Sequence, residues 1–230
     1  MKLKVWKKHG FEFLSIFIAV ISAFALNNWN ENRKAATSEN KILTEIANGL
    51  KKDLIDIQGN KLGHQNGVSA CNYFRAILAE KNVNTDSLMN HYINLTRDFI
   101  SIQNTAGYET LKSRGLELVK NDSLRLKIIS LYEFDYQILR KLEEEYSEMQ
   151  FNENYFKEIN KNLASNFMFD KNNKVIGFDL PLTVPLKEKK VLLLYLTKIE
   201  INRNYIMRYY DTMEGKVSEI QKAIKSEIKR

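Results

Sequence analysis

Apolar and polar residues are arranged along this chain with helical spacing almost throughout. Leu43, Ile46, Leu50, Leu54 and Ile57 recur at threes and fours, which predicts an amphipathic helix that Thr37 or Ser38 is placed to cap. Gly59, Gly63 and Gly67 then crowd a polar stretch, predicting either a break or a weakened helix before the apolar pattern resumes over 68–78. Thr85-Asp86-Ser87 offers a cap for a helix carrying Leu88, Met89, Tyr92 and Leu95. From Thr105 to Leu124 the punctuation reads as a compact corner. Thr105 caps a short helix, Gly115 ends it in a left-handed conformation, and Asn121 or Asp122 caps the next. Tyr108 is expected to pack there with its hydroxyl at the surface.

Two longer seams follow. Leu124, Ile128, Leu131, Asp135, Ile138 and Leu142 form one, broken only by Asp135. Leu192, Leu196, Ile199, Arg203, Ile206, Tyr210, Met213, Val217, Ile220 and Ile224 form the other, broken only by Arg203. A pattern sustained this long predicts coiled-coil-like packing, and an irregular aromatic hinge at 167–187, with Pro181 and Pro185, lets the two arms run antiparallel. Asp135 and Arg203 could form a buried ion pair or line a polar pocket; alternatively each sets register or reaches out to water.

The N-terminus is different in kind. Phe13 to Leu26 is nearly all apolar, and Phe11 to Trp29, as a helix, spans about 28 Å, the thickness of a bilayer's hydrocarbon. Trp6 and Trp29, the two tryptophans, bracket it as interfacial anchors. Two rivals are a cleaved signal peptide, opposed by the bulky Phe24 and a long basic start, and an interfacial helix, opposed by the lack of a charged face. An uncleaved anchor over 11–30 fits best, after a basic tail at 1–10 and before a bundle domain at 31–230. Lys2, Lys4, Lys7 and Lys8 precede it, against Arg33, Lys34 and Lys41 after it, which favours a cytoplasmic N-terminus and a periplasmic bundle at a bacterial inner membrane. Ser15, Ala19, Ser22 and Ala23 form a small-residue stripe suited to helix association. Glu12 is either a headgroup-level carboxylate or a polar contact, and Asn27, Asn28 and Asn30 surround Trp29 at the outer interface.

Composition supports an all-α fold: nine glycines and two prolines in 230 residues are under half the usual share. Turn-dense barrels and Gly-rich nucleotide folds are disfavoured. The net charge of +7 invites a nucleic-acid partner, but acidic and basic residues alternate, as in Lys187-Glu188-Lys189-Lys190, which marks solvated helix faces. The corner at 105–124 likewise lacks the basic recognition helix of a DNA reader. Cys71 is the single cysteine, and His9, His64 and His91 lack metal-ligand spacing. Glu143, Glu144 and Glu145 read as a solvated face. No catalytic cluster, metal site or cofactor motif is recognisable, so the expectation is a non-enzyme without cofactor.

Glu12, followed after fourteen residues by Asn27-Asn28-Trp29-Asn30-Glu31-Asn32-Arg33-Lys34, resembles the opening of an uncharacterised family of single-anchor membrane proteins of Bacteroidota type, the domain-of-unknown-function family 6090. Thr105, Tyr108-Glu109, Leu111-Lys112-Ser113, Gly115, Leu118, Asn121 and Leu124 form a second similar stretch. Phe11-Glu12-Phe13 and Ala19 stand where that family often has Gly-Glu-Ile and a glycine. The resemblance implies an anchor and a helical domain, and no activity. Two functions remain: an interaction or self-assembly module whose partners are the lipid bilayer and itself or another envelope protein, and a ligand-sensing bundle that signals through a partner.

Overall fold

A computed structural model describes residues 2–228, with side chains from residue 11 onward. Trp6 and the N-terminal lysines therefore lie outside the described side chains. Helix α1, Lys2–Leu78, is a single unbroken helix of 77 residues, about 115 Å long. It contains both the apolar segment and the first bundle helix. No cap separates them: the Thr37 hydroxyl bonds the Arg33 carbonyl inside the helix at 2.9 Å, and Ser38 is likewise helical. The three glycines do not break it either.

The remaining helices are α2 (Leu88–Leu95), α3 (Ala106–Arg114), α4 (Asp122–Ser130), α5 (Tyr136–Glu144), α6 (Lys157–Leu163) and α7 (Leu186–Ile228). The hinge holds a small antiparallel hairpin, β1 (Phe167–Phe169) and β2 (Val175–Phe178), in place of the irregular chain expected there. Asn84 caps the turn before α2, its side chain accepting the Asp86 amide, so the cap lies one residue before Thr85. Thr105 precedes α3 without a side-chain cap bond, whereas Asn121 does cap α4 by accepting the Leu124 amide at 3.1 Å. Gly115 ends α3 with φ 99° and ψ 125°, positive in φ but extended in ψ.

Helix α7 runs antiparallel to α1, since Ala47, Gln58, Lys61 and Arg75 meet Gln221, Glu214, Asp211 and Glu200 in turn. The α4–α5 arm is also antiparallel to α7: Asn121, Lys127, Asp135 and Glu148 meet Glu227, Glu219, Lys216 and Lys198. All ten positions of the C-terminal seam are buried. The α4–α5 seam is not the expected one beyond Asp135. Buried positions continue at Tyr136, Leu139 and Glu143, while Ile138 and Leu142 are only half-buried. A π-helical turn at Leu131–Asp135 is the cause, because an extra residue in one turn rotates everything after it by about one position.

Candidate functional site

The polar centre of the bundle assembles beneath a stretch with neither helix nor strand, residues 97–105, that connects α2 to α3. A segment of this kind has no helical or strand partners for its backbone donors and acceptors, and where they turn inward, as at the buried Ser101, something must satisfy them. Here ionisable side chains do it. Arg203 of α7 is fully buried and donates to the carbonyls of Asn94, Leu95 and Arg97 at 3.2, 3.0 and 2.9 Å, closing the C-terminal end of α2. Glu143 accepts the Ser101 amide at 3.0 Å, Asp56 the Ile102 amide at 3.0 Å, and Asp53 both the Asn104 amide and its side-chain amide. Asp98, within the segment, accepts the Phe151 amide at 2.7 Å.

Two glycines of α1 make room for this. A Cβ at Gly63 would fall inside the Phe99 ring, and one at Gly67 inside the Arg203 side chain around Nε and Cζ. Arg203 is further sandwiched by aromatic rings, its Cζ lying 4.2 Å from the Phe151 centroid and 5.8 Å from that of Phe99. Gly67→Ala is therefore expected to destabilise the protein by about 2–4 kcal/mol, because either α1 or the guanidinium must move. Chemical denaturation in mild detergent measures it, and a change below about 1 kcal/mol contradicts the packing described.

The Arg203 guanidinium also donates to His64 Nδ1 at 3.1 Å. Arginine cannot accept, so this imidazole is assigned neutral, with its proton on Nε2. Burial and the adjacent cation hold the His64 pKa down at about 3. Arg203 Nε and His64 Nε2 have no hydrogen-bond partner and face aromatic surroundings, His64 lying 5.2 Å from the Phe99 ring. Glu143 is the opposite case. Its carboxylate meets neutral donors, the Ser101 amide and the Tyr210 hydroxyl, and burial pushes its pKa up to about 7. Burial likewise raises Asp53 and Tyr136, whose hydroxyl donates to Asp53 at 2.8 Å.

The arrangement fastens a chain segment. Each carboxylate bonds a backbone amide, and among the described residues no three His, Cys, Asp or Glu side chains could hold a metal ion. Asp135 and Arg203 do not meet. Asp135 is buried against Lys216 at 2.6 Å, while Arg203 binds carbonyls more than three helical turns away along α7. Being antiparallel, the arms place Asp135 opposite residue 216, far from the level of 203. Glu143 is not on a solvated face; the π-turn carries it inward, and Glu144 and Glu145 stay exposed. Tyr108 is buried and stacked on Tyr132, with its hydroxyl donating to the exposed Glu133 at 2.8 Å, as expected.

Of the N-terminal site residues, Ser15, Ala19, Ser22 and Ala23 are all exposed. The Ser15 hydroxyl bonds the Phe11 carbonyl at 2.8 Å. Asn27 donates to Glu31 at 3.1 Å, and the Arg33 guanidinium lies 5.9 Å from the Trp29 ring centroid. Glu12 and Asn28 are exposed in the same helix. The whole apolar window is unburied, with Phe11, Phe13, Ile16, Phe24 and Leu26 each at least 65% exposed.

These features define a class: a predominantly helical bundle carried on a long N-terminal helix whose first part is long and apolar enough to cross a membrane. The chain belongs to DUF6090, a family of unknown function, whose model matches residues 12–172. The matched region takes in the apolar helix, the fastened segment and its carboxylates, and stops before α7. No curated protein and no solved structure matches the chain.

Proposed function

We propose that this protein is a non-catalytic anchor of the bacterial inner membrane, spanning it once and presenting a helical bundle that mediates protein interaction or self-assembly. The observation that carries this reading is the continuity of α1: an exposed apolar helix passes into the bundle core without a joint. Exposed phenylalanines and isoleucines at this density need lipid around them. The unbroken helix then holds the bundle at a fixed height. The basic residues before the segment favour a cytoplasmic N-terminus and a periplasmic bundle. Non-catalytic use of the polar centre is supported by its bonding, since Arg203, Asp53, Asp56, Asp98 and Glu143 are committed to backbone groups.

Alkaline-washed membranes are expected to retain the full-length chain, and protease added to spheroplasts to degrade the bundle. Release into the wash overturns the anchor; a bundle protected until the membrane is opened overturns the orientation. Affinity purification from detergent is expected to recover the chain with a second protein or a second copy of itself, and recovery as a lone monomer counts against the interaction reading.

Ligand sensing is favoured by one feature. A groove of about 450 Å³, lined by Tyr92, Thr96, Arg97, Asp98 and Phe156 among others, borders the segment that Arg203 fastens. A ligand there would bear on that segment, and its effect would have to pass through a partner protein. A rise in melting temperature with an added envelope metabolite, lost in Arg97→Ala, tests this reading.

A further inference from the structure

The outer face shared by α1 and α7, turned away from α2–α6, has an unusual composition. Every fully exposed position from residue 55 to 72 of α1 and from 193 to 205 of α7 is uncharged, in a chain with 27% charged residues. Ile55, Leu62, Ile201 and Tyr205 are 64, 57, 57 and 45% exposed there. Neighbouring charges close on one another across the α1–α7 groove, Lys61 with Asp211 and Arg75 with Glu200; farther along α7, around Gly215, Arg208, Asp211, Lys216, Glu219 and Lys222 are exposed, of which Lys216 pairs with Asp135 and Glu219 with Lys127.

Gly59, and Gly215 just beyond the uncharged stretch of α7, are not made necessary by close packing within the chain. A Cβ at Gly59 or at Gly215 would meet nothing within 4 Å, unlike those at Gly63 and Gly67. A glycine in mid-helix weakens the helix, so its place here calls for another reason. The bond from Gln58 to Glu214, 2.8 Å long, puts the two glycines at the same height on neighbouring helices. Missing side chains at one height are what close approach of another helix requires.

We infer that a second copy of this chain covers this face, in a parallel dimer whose two-fold axis stands normal to the membrane and whose closest approach is at Gly59 and Gly215. The inference rests on the self-assembly reading above. Anchored copies carry this face at one height, about 50 Å beyond Trp29 along a rigid helix, so like meets like. The α1 part of the face, uncharged at its exposed positions from 55 to 72, meets its own copy without like-charge repulsion. The phase of α1 agrees. Ser15 and Ile55, Ala19 and Gly59, and Ser22 and Leu62 are each 40 residues apart, about eleven turns at 3.6 residues per turn. The small-residue side in the membrane and the glycine side in the bundle therefore point the same way. Arg33 and Lys51 lie on that side between the two zones and repel their counterparts, so contact divides into a membrane part and a bundle part.

Single-cysteine crosslinking in native membranes tests this, and the native Cys71 is fully buried and gives no background. Leu62→Cys is expected to form disulfide-linked dimers on mild oxidation, whereas Leu126→Cys, 64% exposed on α4, is not. Adding Gly59→Leu to Leu62→Cys is expected to cut the dimer yield at least fivefold with an unchanged circular dichroism spectrum, since a Cβ at residue 59 has no atom of its own chain within 4 Å. Dimers at Leu126→Cys with none at Leu62→Cys overturn this face and leave self-assembly standing. Monomers at both positions, with a bifunctional amine crosslinker also giving none, overturn both, and a Gly59→Leu yield equal to that of the parent overturns the proposed point of approach.

Discussion

Arg203→Met in the full-length chain is expected to lose about 3–5 kcal/mol of stability, the largest effect of any single substitution in the bundle. Methionine fills much of the volume but donates nothing. The carbonyls of Asn94, Leu95 and Arg97 then lose their shared donor, that of Leu95 in the buried core and those of Asn94 and Arg97 at its partly exposed edge. Each buried acceptor left unpaired costs on the order of 1–3 kcal/mol, and the three are partly coupled, so the sum is not simply additive. Arg203→Lys is expected to recover only part of the loss. A single ammonium on its stem cannot span the carbonyls and His64 together as a planar guanidinium does. Denaturant unfolding followed by circular dichroism in mild detergent gives the stability, and limited proteolysis shows cleavage moving to residues 94–104. A Met variant within about 1 kcal/mol of the parent would show that the segment holds itself.

The second large effect is on pH dependence, where two buried groups oppose one another. Glu143 has its folded pKa raised to about 7, so the folded state binds its proton more tightly than the unfolded chain does. That stability is fully present below the unfolded value near 4.5 and is lost as pH rises to about 7. His64 has its folded pKa depressed to about 3. Its contribution is present above the unfolded value of 6.5 and is lost as pH falls towards 3. Between roughly pH 4.5 and 6.5 the two slopes oppose one another, each being about 1.4 kcal/mol per pH unit at most, and the parent's stability is expected to change less with pH than either group alone would make it.

Glu143→Gln removes one slope. Glutamine keeps one oxygen for the Ser101 amide and offers an amide group to the Tyr210 oxygen, so the bonding survives without the titration. The variant is expected to be more stable than the parent at pH 8 by up to about 3 kcal/mol, and to lose stability steadily as pH falls below 6.5. Denaturation midpoints at pH 5, 6, 7 and 8 for parent and variant provide the check. Parallel profiles for the two proteins would remove Glu143 as the titrating group. Asp53, also raised by burial, adds to the Glu143 slope in both proteins and leaves their difference intact.

How much of this was legible beforehand differs from element to element. The C-terminal seam is legible position by position, because α7 is regular and an unbroken 3.6-residue period tells inside from outside. The earlier arm is legible only as far as Asp135. The π-turn at Leu131–Asp135 inserts a fraction of a turn that hydrophobic spacing does not announce, and after it Tyr136, Leu139 and Glu143 replace Ile138 and Leu142 on the inner face. Glu143 could have been suspected from its place four residues beyond Leu139, but only with that shift known. Gly63 and Gly67 read as a weakness because glycine disfavours an isolated helix; the closeness of Phe99 and Arg203 that makes glycine necessary is a long-range fact.

By itself the sequence determined the apolar N-terminal helix, the helical character of the bundle, the buried seam of α7 and the Asn121 cap. Those depend on local chemistry: length of an apolar run, periodicity, and a side chain within reach of its own backbone. Only the tertiary structure decided what the polar residues of the seams are for. Arg203 and Asp135 each break an apolar pattern, yet one holds carbonyls of α2 from over a hundred positions away while the other meets Lys216. A charge inside a seam announces that it needs a partner. Which partner it finds depends on how antiparallel helices align and on where an irregular segment leaves its backbone unpaired, and neither is written in the residues on either side of that charge.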